Sequence, residues 1–293
     1  MDLVVVPNSD GVGSVTWWSL PDKLVNRDDL EHALFSANLK GLLLPKVPTA
    51  EVALQRALMD VFADRNTLVK PTKNGYAILP KGKDSDGNPQ FTTTLTVTFA
   101  AQRSSHPDLE FPTNWTSDME DKVRDRYQEH SKSLSNTEMS AFMVAAVRSL
   151  SGIGLHDRGR MYFVPSPGIE DWRKYYEVVR QHYPLTVFNL PTMQVSEAVD
   201  VLSHNVRREV EDSISALAQD IKAWAKENED AKANGTQPRK IRSDAMDSRE
   251  AEINRLLQLT GTYQKLLGAN LQQLEQAAND LHSSLMEVYM ARM

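Results

Sequence analysis

The stretch VSEAVDVLSHNVRREVEDSISALAQDIKAW, residues 195–224, decides how the last third of the chain folds. Its apolar residues are Val195, Val199, Leu202, Val206, Val210, Ile214, Leu217, Ile221 and Trp224, each three or four positions from the last. Side chains at that spacing share one face of an α-helix, so the stretch reads as one long amphipathic helix with heptad-like segments. Residues 226–240 are polar and carry Gly235 and Pro238, which reads as a hinge. A second series follows at Ile253, Leu257, Thr260, Tyr263, Leu267, Leu271, Leu274, Ala278, Leu281, Leu285 and Val288. Gly261 and Gly268 weaken it by about 1 kcal/mol each relative to alanine. A continuous helix over residues 244–290 would be roughly 70 Å long. Short connections make consecutive helices antiparallel neighbours. The expectation is a coiled-coil-like antiparallel hairpin over residues 195–293, with its hinge near 226–243.

The second helix is poor in charge. Residues 260–293 hold only Lys265, Glu275, Asp280, Glu287 and Arg292, against a chain average of 25% charged residues. A helix packed on one partner usually turns a well-charged face to water. The deficit suggests burial of more than one face, either in a homo-oligomer or against the rest of the chain. On the oligomer reading the interface is Tyr263, Leu267, Leu271, Leu274, Ala278, Leu281, Leu285 and Val288.

Residues 1–194 read as an α+β head. Residues 3–6 and 15–20 are strand-like and flank a turn, which suggests an antiparallel pair. Asn26 is an N-cap for a helix over 27–37, and a second helix spans 50–62. Asn74-Gly75 marks a hairpin, because both residues tolerate positive φ. Residues 90–101 alternate Phe91, Leu95, Val97 and Phe99 with threonines, the pattern of a half-exposed antiparallel strand. A meander covered by the two preceding helices follows. Helices over 118–130, 136–150 and 169–182 alternate with strands at 160–165 and 185–190, the last closed by Pro191. Trp17 and Trp18 are adjacent on a strand and so point to opposite faces.

Composition narrows the function classes. The 293 residues include no cysteine, which removes disulfides, thiolate nucleophiles and cysteine-ligated zinc. With 33 Lys+Arg against 39 Asp+Glu, the net charge of −6 argues against a surface that attracts nucleic acid everywhere. No apolar run is long enough for a membrane span, and residues 3–6 are too short for a signal segment, so a cytoplasmic protein without membrane contact is expected.

No motif carries a reaction. Gly152, Gly154 and Gly159 have the wrong spacing and the wrong flanks for a phosphate loop and read as a helix C-cap and turn. Asp84, Asp86 and Gly87 read as a hairpin turn rather than a calcium loop. None of the seven histidines has a metal-ligand spacing, so neither metal nor cofactor is expected. The densest polar cluster in the head is His156, Asp157, Arg158 and Arg160, where the arginines suit an anion. Arg239, Lys240 and Arg242 at the hinge are a second candidate for phosphate contact. The helical part nevertheless totals 12 basic against 16 acidic residues, which does not favour nucleic acid.

Trp17–Trp18, the stretch over 42–48 with Pro45 and Pro48, Ala53 with Arg56 and Ala57, and the stretch over 159–165 occur in this order before the helical C-terminus. In this the chain resembles an uncharacterised family found in phages, actinobacteria and archaea. The resemblance covers nearly the whole chain and implies a phage or mobile-element origin, with no activity attached. The reading favoured is a non-enzymatic assembly protein. Its hairpin drives homo-oligomerisation and its α+β head presents a surface to a phage or host protein. A nucleic-acid factor using the basic hinge is the alternative. An enzyme with a site assembled near His156 is the third.

Overall fold

The computed structural model describes residues 11–39, 44–62, 67–83, 89–91, 95–100, 107–113, 115–155, 161–236, 241, 243–268 and 270–290. The strands are β1 (Gly11–Ser19), β2 (Val25–Asn26), β3 (Thr67–Thr72), β4 (Gly75–Lys83), β5 (Pro89–Phe91), β6 (Leu95–Phe99), β7 (Leu109–Glu110), β8 (Ser133–Leu134), β9 (Ile153–Gly154), β10 (Tyr162–Pro165) and β11 (Thr186–Met193). The helices are α1 (Arg27–Ser36), α2 (Ala50–Phe62), α3 (Ser117–Lys132), α4 (Asn136–Ser149), α5 (Ile169–His182), α6 (Ser196–Ala233), α7 (Ser243–Leu267) and α8 (Gln272–Met290). The fold is α+β, with antiparallel sheets and a long helical C-terminal region, as the sequence predicts.

The chain forms two compact units that interleave instead of dividing at residue 194. One comprises Met1–Ser19, Met143–Glu177 and Thr186–Met293; the other comprises Leu20–Phe142 and Val178–Leu185. The reason is long-range pairing. β1 has neighbours on both sides, β10 and β11, in a sheet of order β11-β1-β10-β9. Trp17 stands opposite Phe188, far along the chain, and Thr16 stands opposite both Tyr162 and Asn189. The expected partner for this strand, residues 3–6, lies outside the described residues. Gly13 permits the close approach: a Cβ there would stand 2.3 Å from the Val164 carbonyl oxygen.

In the helical unit, α6, α7 and α8 pack their apolar stripes together. Leu202, Val206, Val210, Leu217 and Ile221 from α6 meet Ile253, Leu256, Leu259 and Tyr263 from α7 and Leu281, Leu285 and Val288 from α8. The predicted single helix over 244–290 is two helices. Gly268 sits at φ +65, a left-handed conformation that ends α7, while Gly261 stays inside the helix. Three antiparallel helices result, where a two-helix hairpin was expected. The extra turn folds α8 back so that its stripe is buried within its own chain.

The other unit is built on the hairpin between β3 and β4, whose turn is Lys73-Asn74 and not Asn74-Gly75: Gly75, at φ +152, is already paired with Thr72 in β4. Its sheet runs β3-β4-β6-β7. Ala53, Leu54, Ala57 and Leu58 of α2 and Val123 and Tyr127 of α3 pack on Ile78, Val97 and Phe99. The covering helices are thus α2 and α3, whereas sequence order suggested α1 and α2. Asn26 caps α1 as predicted, its Oδ1 accepting from the amides of Asp28 and Asp29.

Candidate functional site

β11 forms the outer edge of its sheet. Pro191 does not close it; the strand runs on to Met193. Proline lacks an N–H, which an interior strand cannot tolerate but an edge strand can. Thr16 Oγ1 donates to the Phe188 carbonyl at 3.2 Å, so that carbonyl faces β1. Backbone groups alternate along a strand, so those of Val187, Asn189 and Pro191 face away from β1. Among the described residues no strand pairs with that side.

The side chains of this strand are also unusual. Phe188 is 44% exposed and Leu190 58% exposed, and Met193 and Val195 beyond them are exposed as well. Trp17 stacks on Phe188 with ring centroids 5.2 Å apart and planes within 11°. Val15 stands opposite Leu190 on one side and Phe163 on the other, so these residues share a sheet face. Phe163 is buried against Tyr263 of α7, whereas Phe188 and Leu190 remain open. On the opposite face Trp18 stacks on Tyr162, and Trp172 Nε1 donates to Thr16 Oγ1 and Asn189 Oδ1, each at 3.2 Å. The edge strand is therefore held firmly from below while its rim stays apolar. Tyr183 through Ser196 contains no charged residue. This uncharged run was the signal in the sequence, and reading Pro191 as a terminator concealed it.

A largely buried charge cluster lies elsewhere in the same unit. Glu209 of α6 and Arg255 of α7 pair at 3.2 Å, with side chains 15% and 17% exposed. The Gly154 amide donates to Glu209 at 3.3 Å, and Arg148 Nε lies 3.8 Å from it. Glu252 takes two further hydrogen bonds from Arg255. Burial lowers the tendency of Arg255 to stay charged, but Glu252 and Glu209 outweigh it and hold its pKa above the ordinary value. The fully buried Tyr263 hydroxyl has no hydrogen-bond partner among the described residues; burial, with Glu209 nearby, pushes its pKa well up. Each cation here has a carboxylate, so the cluster ties α6 and α7 to β9 rather than offering a free charge. No local spacing in the sequence reveals it.

An open cleft of about 540 Å³ borders α7, lined by Pro167, Leu257, Gln258, Gly261, Thr262, Lys265 and Leu266. Among the described residues no group of three or more His, Asp or Glu side chains is placed to hold a metal ion.

The proposed oligomer residues have another place. Tyr263, Leu267, Leu271, Leu281, Leu285 and Val288 are buried within the core of α6, α7 and α8, with Leu274 packed against it, and Ala278 is buried as well. The correction is physical: these side chains form one inner stripe, and the outward face of α8 carries Gln, Asn and Ser that water can solvate. Arg158, Arg160, Arg239, Lys240 and Arg242, with His156 and Asp157, lie outside the described residues, as do Asp84, Asp86 and Gly87. The left-handed position that ends α4 is taken by Ser151, at φ +59, and Gly152 follows it, its amide donating to the Val147 carbonyl at 2.9 Å.

The profile of a family of unknown function, DUF6744, matches residues 11–292. The chain belongs to this family. No curated protein and no solved structure matches it. For this DUF6744 protein the family supplies no chemistry, and the edge of β11 is the surface its geometry sets apart. No helix among the described residues is long and apolar enough to cross a membrane.

Proposed function

We propose that this DUF6744 protein is a non-enzymatic assembly protein that works by self-association and presents a binding surface to a further protein. One observation carries the reading: among the described residues an eight-residue edge strand has no partner on its outer side, beside an uncharged, apolar rim. Exposed edges are templates for pairing, and proteins that stay monomeric usually guard them with charges, bulges or a covering element. Pro191 is the one such guard within β11. A phage or mobile-element origin, which rests on the family resemblance, and a cytoplasmic setting, which rests on the short apolar runs and the cysteine-free composition, belong to the same proposal.

The contact surface in this reading is the sheet, because the apolar stripe of α7 and α8 is already used inside the chain. Sedimentation equilibrium of the full chain, from low micromolar to the highest soluble concentration, tests it. A reversible rise in mean mass with concentration is expected. A single monomer mass throughout that range defeats the proposal.

A further inference from the structure

The outward side of β11 has a self-complementary order. The backbone groups of Val187 and Asn189 face away from β1, with Phe188 between them turned inward. Two copies of the strand, run antiparallel and centred on Phe188, would place Val187 opposite Asn189 on both sides of the axis. Pairs whose groups face each other exchange two hydrogen bonds, so the two pairs exchange four. Phe188 would stand opposite its own copy in a non-hydrogen-bonded pair, where Cα atoms approach to about 4.5 Å and side chains meet closely.

We infer that a second copy of this chain pairs with β11 in this register about a two-fold axis at Phe188. The inference rests on the self-association reading above and names its surface. The Trp17–Phe188 stack ends abruptly at an exposed edge. In the pair it continues onto the partner's Phe188 and Trp17, giving a row of four rings across one sheet face.

Charge favours a second copy over a charged peptide. The chain carries −6, but Tyr183 through Ser196 carries no charge, so two copies of this edge meet without opposing like charges. Pro191 limits the pairing, because the position opposite it gains no donor. The paired segment is therefore Thr186 to Leu190, about 17 Å long. The contact is isologous and closes on itself, which gives a dimer and no fibre. A paired segment of five residues a side is far smaller than the roughly 20–30 residues a side of a stable complex, so the dimer is concentration-dependent.

The absence of cysteine makes the register testable with single-cysteine variants of the full chain. Under mild oxidation Phe188→Cys should form a disulfide-linked dimer about tenfold faster than Val187→Cys or Asn189→Cys, because residues 187 and 189 face each other and not themselves. Mixing Val187→Cys with Asn189→Cys should yield the crossed dimer. A second variant, Val187→Pro, deletes one outward N–H and leaves the ladder to β1 in place. It should keep its far-ultraviolet circular dichroism and tryptophan fluorescence and sediment as a monomer. If the wild type dimerises but Val187→Pro dimerises equally, or the three cysteines crosslink alike, the register is wrong and self-association stands. A wild type that is monomeric throughout overturns both.

Discussion

Alanine in place of Gly261 should stabilise the helical unit, and alanine in place of Gly268 should destabilise it, although a Cβ would meet open space at both positions. The sign turns on backbone conformation alone. Gly261 is an interior residue of α7, where glycine costs about 1 kcal/mol relative to alanine. Nothing within 4 Å opposes the added methyl group, so the gain arrives undiminished. Gly268 sits at φ +65, where a residue with a Cβ is strained by roughly 1–2 kcal/mol. Urea unfolding followed by tryptophan fluorescence is the assay, since Trp17, Trp18, Trp172 and Trp224 lie in the helical unit and only Trp115 in the other. At a slope of about 3 kcal/mol per molar, the midpoint should rise by about 0.3 M for Gly261→Ala and fall by at least as much for Gly268→Ala. Shifts of the same sign would refute the argument.

Two further outcomes follow from the charged groups. Replacing Glu209 by alanine leaves the Gly154 amide unpaired and Arg255 with Glu252 alone, and should cost about 3 kcal/mol in the same unfolding assay. A loss below about 1 kcal/mol would show that the pair behaves like a surface ion pair. In the other unit, burial raises the Glu138 pKa. Bidentate hydrogen bonds from Arg56 at 2.7 and 3.2 Å and contacts from Ser135 outweigh that and hold it below 4.5. The folded state then binds fewer protons than the unfolded chain, so this carboxylate stabilises above its ordinary pKa and the contribution fades as pH falls through the lowered value. The stability gap between wild type and Glu138→Gln should shrink between neutral pH and pH about 3, and a gap that stays constant would contradict the assignment.

Much of the local structure was legible. α2 and α5 begin and end where periodicity predicts, Asn26 caps α1, and the β3–β4 hairpin turns within one residue of Asn74-Gly75. These are effects within a few residues, where spacing, capping and turn chemistry act. The candidate site was less legible. The uncharged run from Tyr183 to Ser196 is visible in the sequence, but whether it lies on an edge depends on which strand takes its other side. Pro191 reads equally as a strand end or as an edge residue until β1 is known to be its neighbour.

The apolar series in residues 195–288 specified long amphipathic helices, because a three- and four-residue spacing admits one solution for a chain that must bury one face. It did not say what that face meets. That was settled when Gly268 adopted a left-handed φ, α8 folded back, and the residues that looked free for another chain closed a core of their own. The same holds for β1. Its pairing with β10 and β11 joins segments well over a hundred residues apart, and hydrogen bonds at that distance in sequence depend on the whole chain's packing rather than on any local pattern.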